Sequence, residues 1–314
     1  MATSTQAAEA AQAKVKISDA PQSSWAKARE RLAWTLVAPS LIVVGLVALY
    51  PLFQAFRLSL TNARLGSVRP AEWVGLDNYR YIFNDSAFRS SIWHTVQFTF
   101  WSVGLETILG MAVALIIHSE FKGRGIVRTS MLVPWAIPTV VSAQIWKWML
   151  NDQYGVINDI LVNRLHILDH KVAWLANPAT AMPSMIAVDV WKTTPFMALL
   201  LLAGLQVIPG DVYEASRVDG ASKWQQFWQI TLPLLRPALL VALIFRSLDA
   251  FRVFDVIYVM KGYAADVMTV SMYARQMMID LSRLGRGSAA SVVIFLCIGL
   301  MVLGYTRLVK VEEV

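Results

Sequence analysis

Long apolar runs separated by polar segments set the pattern of this chain. Six runs are long enough to cross a bilayer, because one spanning helix needs roughly 20 apolar residues. The pattern predicts an all-α, polytopic membrane protein with six transmembrane helices. It argues against a β-barrel, whose strands alternate apolar and polar positions. The predicted spans cover residues 32–56, 92–117, 130–150, 181–207, 238–260 and 289–308.

Composition supports the same class. The 314 residues are 56% hydrophobic and 16% charged, whereas an ordinary soluble domain carries about a quarter charged residues. Residues 1–31 lack the apolar core of a signal peptide and predict a flexible tail. The formal charge of +7 comes from scattered basic residues, which fits lipid headgroups as partners better than nucleic acid. The single cysteine, Cys297, excludes an intrachain disulfide.

The number of spans and the placement of basic residues predict the topology. An even number of spans puts both termini on one side of the membrane. Lys and Arg are slightly more numerous in the segments on that side, so the positive-inside rule favours cytoplasmic termini. The expected cytoplasmic segments therefore include the tails at 1–31 and 311–314 and the polar segment at 208–236.

The polar segment between the fourth and fifth spans predicts two short helices. Asp211 and Glu214 have the spacing of a capping box, which favours a first helix from Asp211 to Val218 that ends near Gly220. Ser222 is suited to cap a second helix. That helix carries an apolar stripe at i, i+3, i+4 spacing, formed by Trp224, Phe227, Trp228 and Ile230. The stripe could be covered by its own bundle, by lipid headgroups or by a partner protein.

The same segment resembles a known family signature. "EASRVDGASKWQQFWQITLP" is similar to the E-A-A-x3-G-x9-I-x-L-P signature of ABC importer permease subunits, with Ser216 in place of the second alanine. "WVGLDNYRYIF", "WKTTPF" and "FRVFDVIYVM" resemble the carbohydrate-uptake branch, so the resemblance covers residues 32–310. "MKGYAAD" departs from the T-x-G-G-P of many relatives, which leaves the shape of the following outer loop open.

This resemblance implies a type I ABC importer permease fold in a bacterial cell membrane, with a coupling helix that docks on a cytoplasmic ATPase. The aromatic stripe is then expected to pack on the protein's own bundle. The docking contact is expected to include Glu214, Ala215, Ser216, Asp219 and Gly220.

The same resemblance implies a set of partners. They are an ATPase dimer that binds ATP and Mg, a second related permease, and an extracytoplasmic sugar-binding lipoprotein that docks on the outer loops. The sugar implied is a disaccharide such as trehalose. This chain has no phosphate-binding loop, so we expect no catalytic residue, cofactor or metal site in it.

Charged residues inside the spans are candidates for the transport pathway, because burying them in hydrocarbon is costly. "RSLDAFRVFD" places Arg246, Asp249, Arg252 and Asp255 three residues apart. One interpretation is a structural salt-bridge ladder along one helix face. The other is that Asp249 or Arg252 lines the path of the sugar.

Two uncharged positions are further candidates for the pathway. Trp191 could hold a sugar ring, and Gln144 could bind its hydroxyls. The alternatives are bundle packing, with Lys192 reaching an interface, and an interfacial aromatic belt around Gln144. An autonomous secondary transporter, the alternative functional class, would predict internal repeats, and the sequence shows no such repeat.

Overall fold

The computed structural model describes residues 24–308. Residues 1–23 of the predicted tail and the predicted C-terminal tail at 311–314 lie outside the described residues. Residues 24–31 were expected in the flexible tail, but they already belong to the first helix, α1. The described part of the chain divides after residue 54 into two compact units.

Helices make up nearly all of the regular structure between residues 24 and 308. Within this part, an isolated antiparallel bridge joins Thr61 to Trp73. The helices are α1 (Ser24–Val44), α2 (Tyr50–Ser59), α3 (Asp77–Asn84), α4 (Ser86–His118), α5 (Arg124–Met131), α6 (Val133–Ala136), α7 (Thr139–Met149), α8 (Val156–Asn158), α9 (Pro178–Leu205), α10 (Gly210–Val218), α11 (Lys223–Gln226), α12 (Leu232–Phe251), α13 (Asp255–Lys261), α14 (Val270–Arg275) and α15 (Leu284–Leu308).

The described residues contain the predicted membrane helices. Five helical stretches are long and apolar enough to cross a bilayer: Lys27–Ser59, Ser86–His118, Pro178–Leu205, Lys223–Lys261 and Leu284–Arg307. A sixth is a bent pair, Arg124–Ala136 followed by Thr139–Met149. The prediction of an all-α polytopic membrane fold is confirmed.

The third span differs from its prediction as a straight helix over 130–150. The chain turns by 90° between α6 and α7, and Ile137 takes an extended conformation with ψ of 132°. Pro138 explains the break, because proline has no N–H for a helical hydrogen bond and forces the residue before it out of the helical region.

Helices α4, α9 and α12 form the centre of the second unit. Helix α4 runs parallel to α9, since Ser102 contacts Asp189 and Glu106 contacts Thr193 eighty-seven positions further along. One buried apolar cluster includes Phe98, Val103, Met185, Val190 and Ala250. A second includes Met111, Met197, Leu201, Leu235 and Ala242. Each of the three helices contributes residues to both apolar clusters. Between these residues, each helix has one helical turn that carries polar side chains.

Close approach of α4 and α9 depends on a glycine. A Cβ added at Gly110 would lie 2.6 Å from Cγ of Met197 and 3.2 Å from the backbone nitrogen of Ala198. Small residues allow such close packing between membrane helices. Gly104 lies on the same helix, and a Cβ there would meet no atom within 4 Å.

We expect Gly110→Leu to lower the stability of the protein by about 1–3 kcal/mol, because overpacking forces the helices apart. Gly104→Leu is the matched control and should leave the melting temperature nearly unchanged. Thermal unfolding of both variants in lipid nanodiscs measures the difference. Equal melting temperatures would show that Gly110 does not set the distance between the helices.

Candidate functional site

A buried arginine connects the three central helices. Arg246 of α12 is 2% exposed, and Glu106 of α4 is fully buried. Two nitrogens of the Arg246 guanidinium donate hydrogen bonds to the Glu106 carboxylate. Nε lies 2.5 Å from Oε2, and Nη2 lies 2.8 Å from Oε1. Nη2 also lies 3.3 Å from Oδ2 of Asp189 on α9. This bidentate geometry is the strong form of an arginine–carboxylate pair.

Hydroxyl groups complete the buried cluster. The Ser102 hydroxyl lies 2.5 Å from Oδ2 of Asp189 and 2.8 Å from Oε1 of Glu106. The Thr193 hydroxyl lies 2.6 Å from the same Glu106 oxygen. Buried charges are tolerated when they are paired and their remaining hydrogen-bonding capacity is used. The cluster meets both conditions.

The third carboxylate bonded to Arg246 faces open space. Nη1 of Arg246 lies 2.6 Å from Oδ2 of Asp249, whose side chain is 70% exposed. Asp249 lines a cavity of about 230 Å³ together with Asp189, Lys192, Thr193 and Arg246. The cavity wall also includes Trp135, Thr139, Arg252, Phe254 and Asp255. A polar cavity therefore begins where the buried charge cluster ends.

Lys192 connects this cavity to the break in the third span. Its Nζ donates to the carbonyl of Ile137 at 2.6 Å and lies 3.4 Å from the carbonyl of Trp135. These carbonyls have lost their helical partners at Pro138, and a cation is favoured at the C-terminal end of a helix. One turn further along α9, Phe196 stacks on Trp135 with 5.9 Å between ring centroids.

In the bundle-packing alternative for Trp191, Lys192 reaches an interface, and this part of the alternative is wrong. The side chain is buried and is used inside the protein, where it satisfies main-chain carbonyls.

The predicted salt-bridge ladder is also not continuous. Arg246 pairs with Asp249, but its other partners lie on α4 and α9. Helix α12 ends at Phe251, so Arg252 and Asp255 do not continue one helix face. Arg252 instead donates from Nε to the carbonyl of Leu248 at 3.1 Å. The three-residue spacing of the charges could not predict these partners, because it carries no information about neighbouring helices.

The four pathway candidates fall into two pairs. Asp249 and Arg252 line the cavity. Trp191 and Gln144 are not among its lining residues: Trp191 packs edge to face on Trp146, and Gln144 is exposed. Sequence reasoning passed over Glu106 and Asp189. The signal was present, since each is a lone acid inside an apolar run, "VGLETIL" and "IAVDVW".

The segment at 210–226 forms the predicted pair of helices, but the first helix lacks the capping box that was predicted for it. Helix α10 begins at Gly210, and its N-cap, Pro209, makes no side-chain hydrogen bond, so the predicted capping box at Asp211 and Glu214 is wrong. Asp211 lies inside the first turn, two positions after the N-cap. The capping box at Ser222 is present, with Gln225 as its partner.

The turn after α10 has the geometry of a Schellman motif. Ala221 donates to the carbonyl of Ser216 at 2.9 Å, and Gly220 donates to that of Arg217 at 3.1 Å. Gly220 has a φ of +80°, a region that glycine enters without steric cost. The sequence-based expectation of a glycine helix end is confirmed.

The five predicted docking residues do not all face the same way. Four of them, Glu214, Ala215, Asp219 and Gly220, are exposed. Ser216 is buried, and its hydroxyl donates to the carbonyl of Tyr213 and accepts from Gln226.

The aromatic stripe was expected to pack on the bundle, and only part of it does. Phe227 packs against the second apolar cluster, while Trp224 is 70% and Trp228 is 50% exposed. The three rings still contact one another, with centroids 5.2 to 6.2 Å apart, so the stripe stays together and reaches the bundle only at its Phe227 side.

A family model gives the decisive comparison. Residues 106–311 match the model described as the binding-protein-dependent transport system inner membrane component. The chain belongs to this family. The matched residues include Glu106, Asp189 and Arg246 as well as the 210–226 segment, so the resemblance to importer permeases is confirmed.

Full-length relatives support the same assignment. The chain is 44% identical to the trehalose/maltose transport system permease protein MalF of Thermococcus litoralis, over 85% of this chain and 90% of that protein. It is 37% identical to the trehalose transport system permease protein SugA of Mycobacterium tuberculosis, over 90% and 89%.

Solved structures show the same fold. A bacterial ABC transporter for the acidic polysaccharide alginate matches with a TM-score of 0.77 at 24% identity, covering 89% of this chain and 95% of the other. A second structure of the alginate transporter contains a pentasaccharide-bound periplasmic protein and matches with a TM-score of 0.76. The predicted type I importer permease fold is thereby confirmed.

We expect Arg246→Met to cost about 3–5 kcal/mol, because it leaves two buried carboxylates without a counter-charge. Arg252→Met removes an exposed arginine from the same helix end and should change stability by less than about 0.5 kcal/mol. The shift in melting temperature of each variant in nanodiscs tests this. Similar shifts in melting temperature for both variants would contradict the conclusion that Arg246 holds the three central helices together.

A second pair of variants tests whether Lys192 stabilises the break in the third span. Lys192→Met should destabilise the protein by about 1–3 kcal/mol, because the partly buried carbonyl of Ile137 loses its donor. Lys147 also donates to a main-chain carbonyl, that of Val259 at 3.0 Å, but it is exposed. Lys147→Met is therefore the control, and water should replace its bond at little cost. Equal losses of stability would refute the distinction.

Proposed function

We propose that this protein is one of two permeases of an ATP-driven importer for a carbohydrate, with a disaccharide such as trehalose as cargo. The observation that carries this proposal is the signature segment at 210–226, present as an exposed helix–turn–helix in a chain of the permease family. The relatives named for trehalose and maltose transport support the choice of sugar.

Energy for transport comes, on this proposal, from a cytoplasmic ATPase dimer that binds ATP and Mg. The exposed residues Glu214, Ala215, Asp219 and Gly220 would contact that ATPase, and the buried Ser216 would support the contact from behind. Both termini and the 210–226 segment would then face the cytoplasm. The positive-inside bias of the basic residues supports this orientation.

The cavity beside Arg246 is proposed as part of the sugar pathway. Carboxylates accept hydrogen bonds from hydroxyl groups, and Asp249 presents an exposed carboxylate there. Trp135 adds an aromatic face to the same wall. Trp191 and Gln144 remain candidates for pathway positions outside this cavity. A second, related permease would supply the other half of the pathway, and an extracytoplasmic binding protein would deliver the sugar.

Substitution of Gly220 tests the coupling. Gly220→Val should reduce ATP-dependent sugar uptake by about tenfold, because a branched side chain at φ of +80° distorts the turn. The expected signature is loss of co-purifying ATPase with unchanged membrane levels of this chain. Gly123→Val is the matched control, since Gly123 has a φ of +90° and equally open surroundings.

Two outcomes would refute the proposal. One is uptake that persists when no ATPase subunit is present, as expected for a secondary transporter. The other is a loss of uptake in Gly123→Val that equals the loss in Gly220→Val, because the effect would then reflect backbone strain in general.

A further inference from the structure

The charges around the cavity cancel one another. Three of its lining residues are basic and three are acidic. Glu106 lies directly behind Arg246 and adds a fourth carboxylate to this region. The six lining residues are Lys192, Arg246, Arg252, Asp189, Asp249 and Asp255. A molecule in the cavity therefore meets a neutral to slightly negative surrounding.

The two basic groups deepest in the wall are already bonded. Arg246 uses Nε, Nη1 and Nη2 on three different carboxylates. Lys192 donates to main-chain carbonyls at the break in the third span. Arg252 is exposed at the end of α12 and bonds to the carbonyl of Leu248, and exposed Asp255 lies three residues further along.

We propose that this cavity accepts uncharged, hydroxyl-rich sugars and excludes anionic sugars, and that Asp249 is the specificity-determining residue. The proposal rests on the proposed function and narrows its substrate class. Asp249 acts in two ways: its carboxylate accepts from sugar hydroxyls and repels an anion, and it keeps Nη1 of Arg246 occupied. Exclusion by a placed like charge is a general route to specificity.

The comparison proteins make this question concrete. Two relatives of this chain are named for the transport of trehalose or of trehalose and maltose. Another, 38% identical, is named for sulfoquinovosyl glycerol transport, and a solved neighbour imports an acidic polysaccharide. The same fold therefore occurs with different classes of sugar, and fold alone does not choose between them. On the present proposal the choice depends on Asp249, which pairs with Nη1 of Arg246.

Cysteine protection measures occupancy of the cavity directly. Cys297 is the single cysteine, so a Cys297→Ser background allows one reporter thiol at Thr139→Cys, which lines the cavity. The assembled complex in nanodiscs is labelled with N-ethylmaleimide, which is uncharged, in the presence of trehalose or of a disaccharide that contains a uronic acid. Trehalose should slow labelling at a concentration about tenfold lower than the uronic acid disaccharide needs.

Two variants with the same change of charge locate the selectivity. Asp249→Asn removes the negative charge that pairs with Nη1 of Arg246, and the uronic acid disaccharide should then protect at about tenfold lower concentration than before. Asp255→Asn removes the same charge from the same wall but has no bond to Arg246, so its gain in protection by the uronic acid disaccharide should be clearly smaller than that of Asp249→Asn. Should Asp249→Asn fail to assemble, Asp249→Ser removes the same carboxylate and carries the same expectation.

Four results would overturn the inference. Protection of the parent by both sugars at similar concentrations would show that anions are not excluded. An equal gain in Asp255→Asn would show that net charge, not the pair of Asp249 and Arg246, sets selectivity. An unchanged preference in the assembled Asp249 variant would remove its assigned role. Absence of protection by either sugar, in a complex that still imports trehalose, would overturn this inference and leave the proposed function standing.

Discussion

One guanidinium group fixes the centre of the molecule. Arg246 binds Glu106 of α4 and Asp189 of α9, so three helices are tied at one level. Removing these charges from water costs several kcal/mol per ion, and the cost is offset only while all partners are in place. Apolar packing alone would allow helices to slide or rotate with small losses, whereas the carboxylates accept few positions of the arginine. The cluster therefore specifies alignment more than it adds stability.

The position of the cluster also connects the cavity to the exposed helix pair. Helix α9 leads into α10 within five residues, and the helical stretch Lys223–Lys261 joins α11 to the end of α12. Both helices that flank the 210–226 segment thus carry members of the cluster. A force applied at Glu214 or Gly220 would reach Asp189 through one helix and Arg246 through the other. The bond between Arg246 and Asp189 links these two helices directly.

The sequence predicted the features that depend on local pattern. Apolar runs gave the membrane helices, Gly220 gave the end of α10, and Ser222 gave the cap of α11, because each follows from nearby residues alone. The failures have a common cause. The stripe at Trp224 contacts the bundle only through Phe227, and Arg246 of the predicted ladder bonds to carboxylates on other helices. Neither outcome can be read from spacing along one helix.

Lys192 shows the same limit most clearly. Within "WKTTPF" it resembles a lysine that reaches toward a membrane interface, because its partners belong to a break in another span. Pro138 is visible in the sequence, and so is Lys192, but the bonds from Lys192 to the carbonyls just before Pro138 require α9 to pass beside the bend. Such pairs could be sought from sequence by asking which buried donor serves the carbonyls that a proline leaves free.

Asp249 has a structural role and a place in the cavity wall at the same time. Its carboxylate completes the bonding of Arg246, and the same group lines the cavity. A change of cargo charge through this residue would alter the alignment of the central helices as well. A change to an anionic sugar that keeps Asp249 and this alignment would instead use a cation outside the cluster, such as the exposed Arg252. The charge arrangement constrains how specificity can change without loss of the fold.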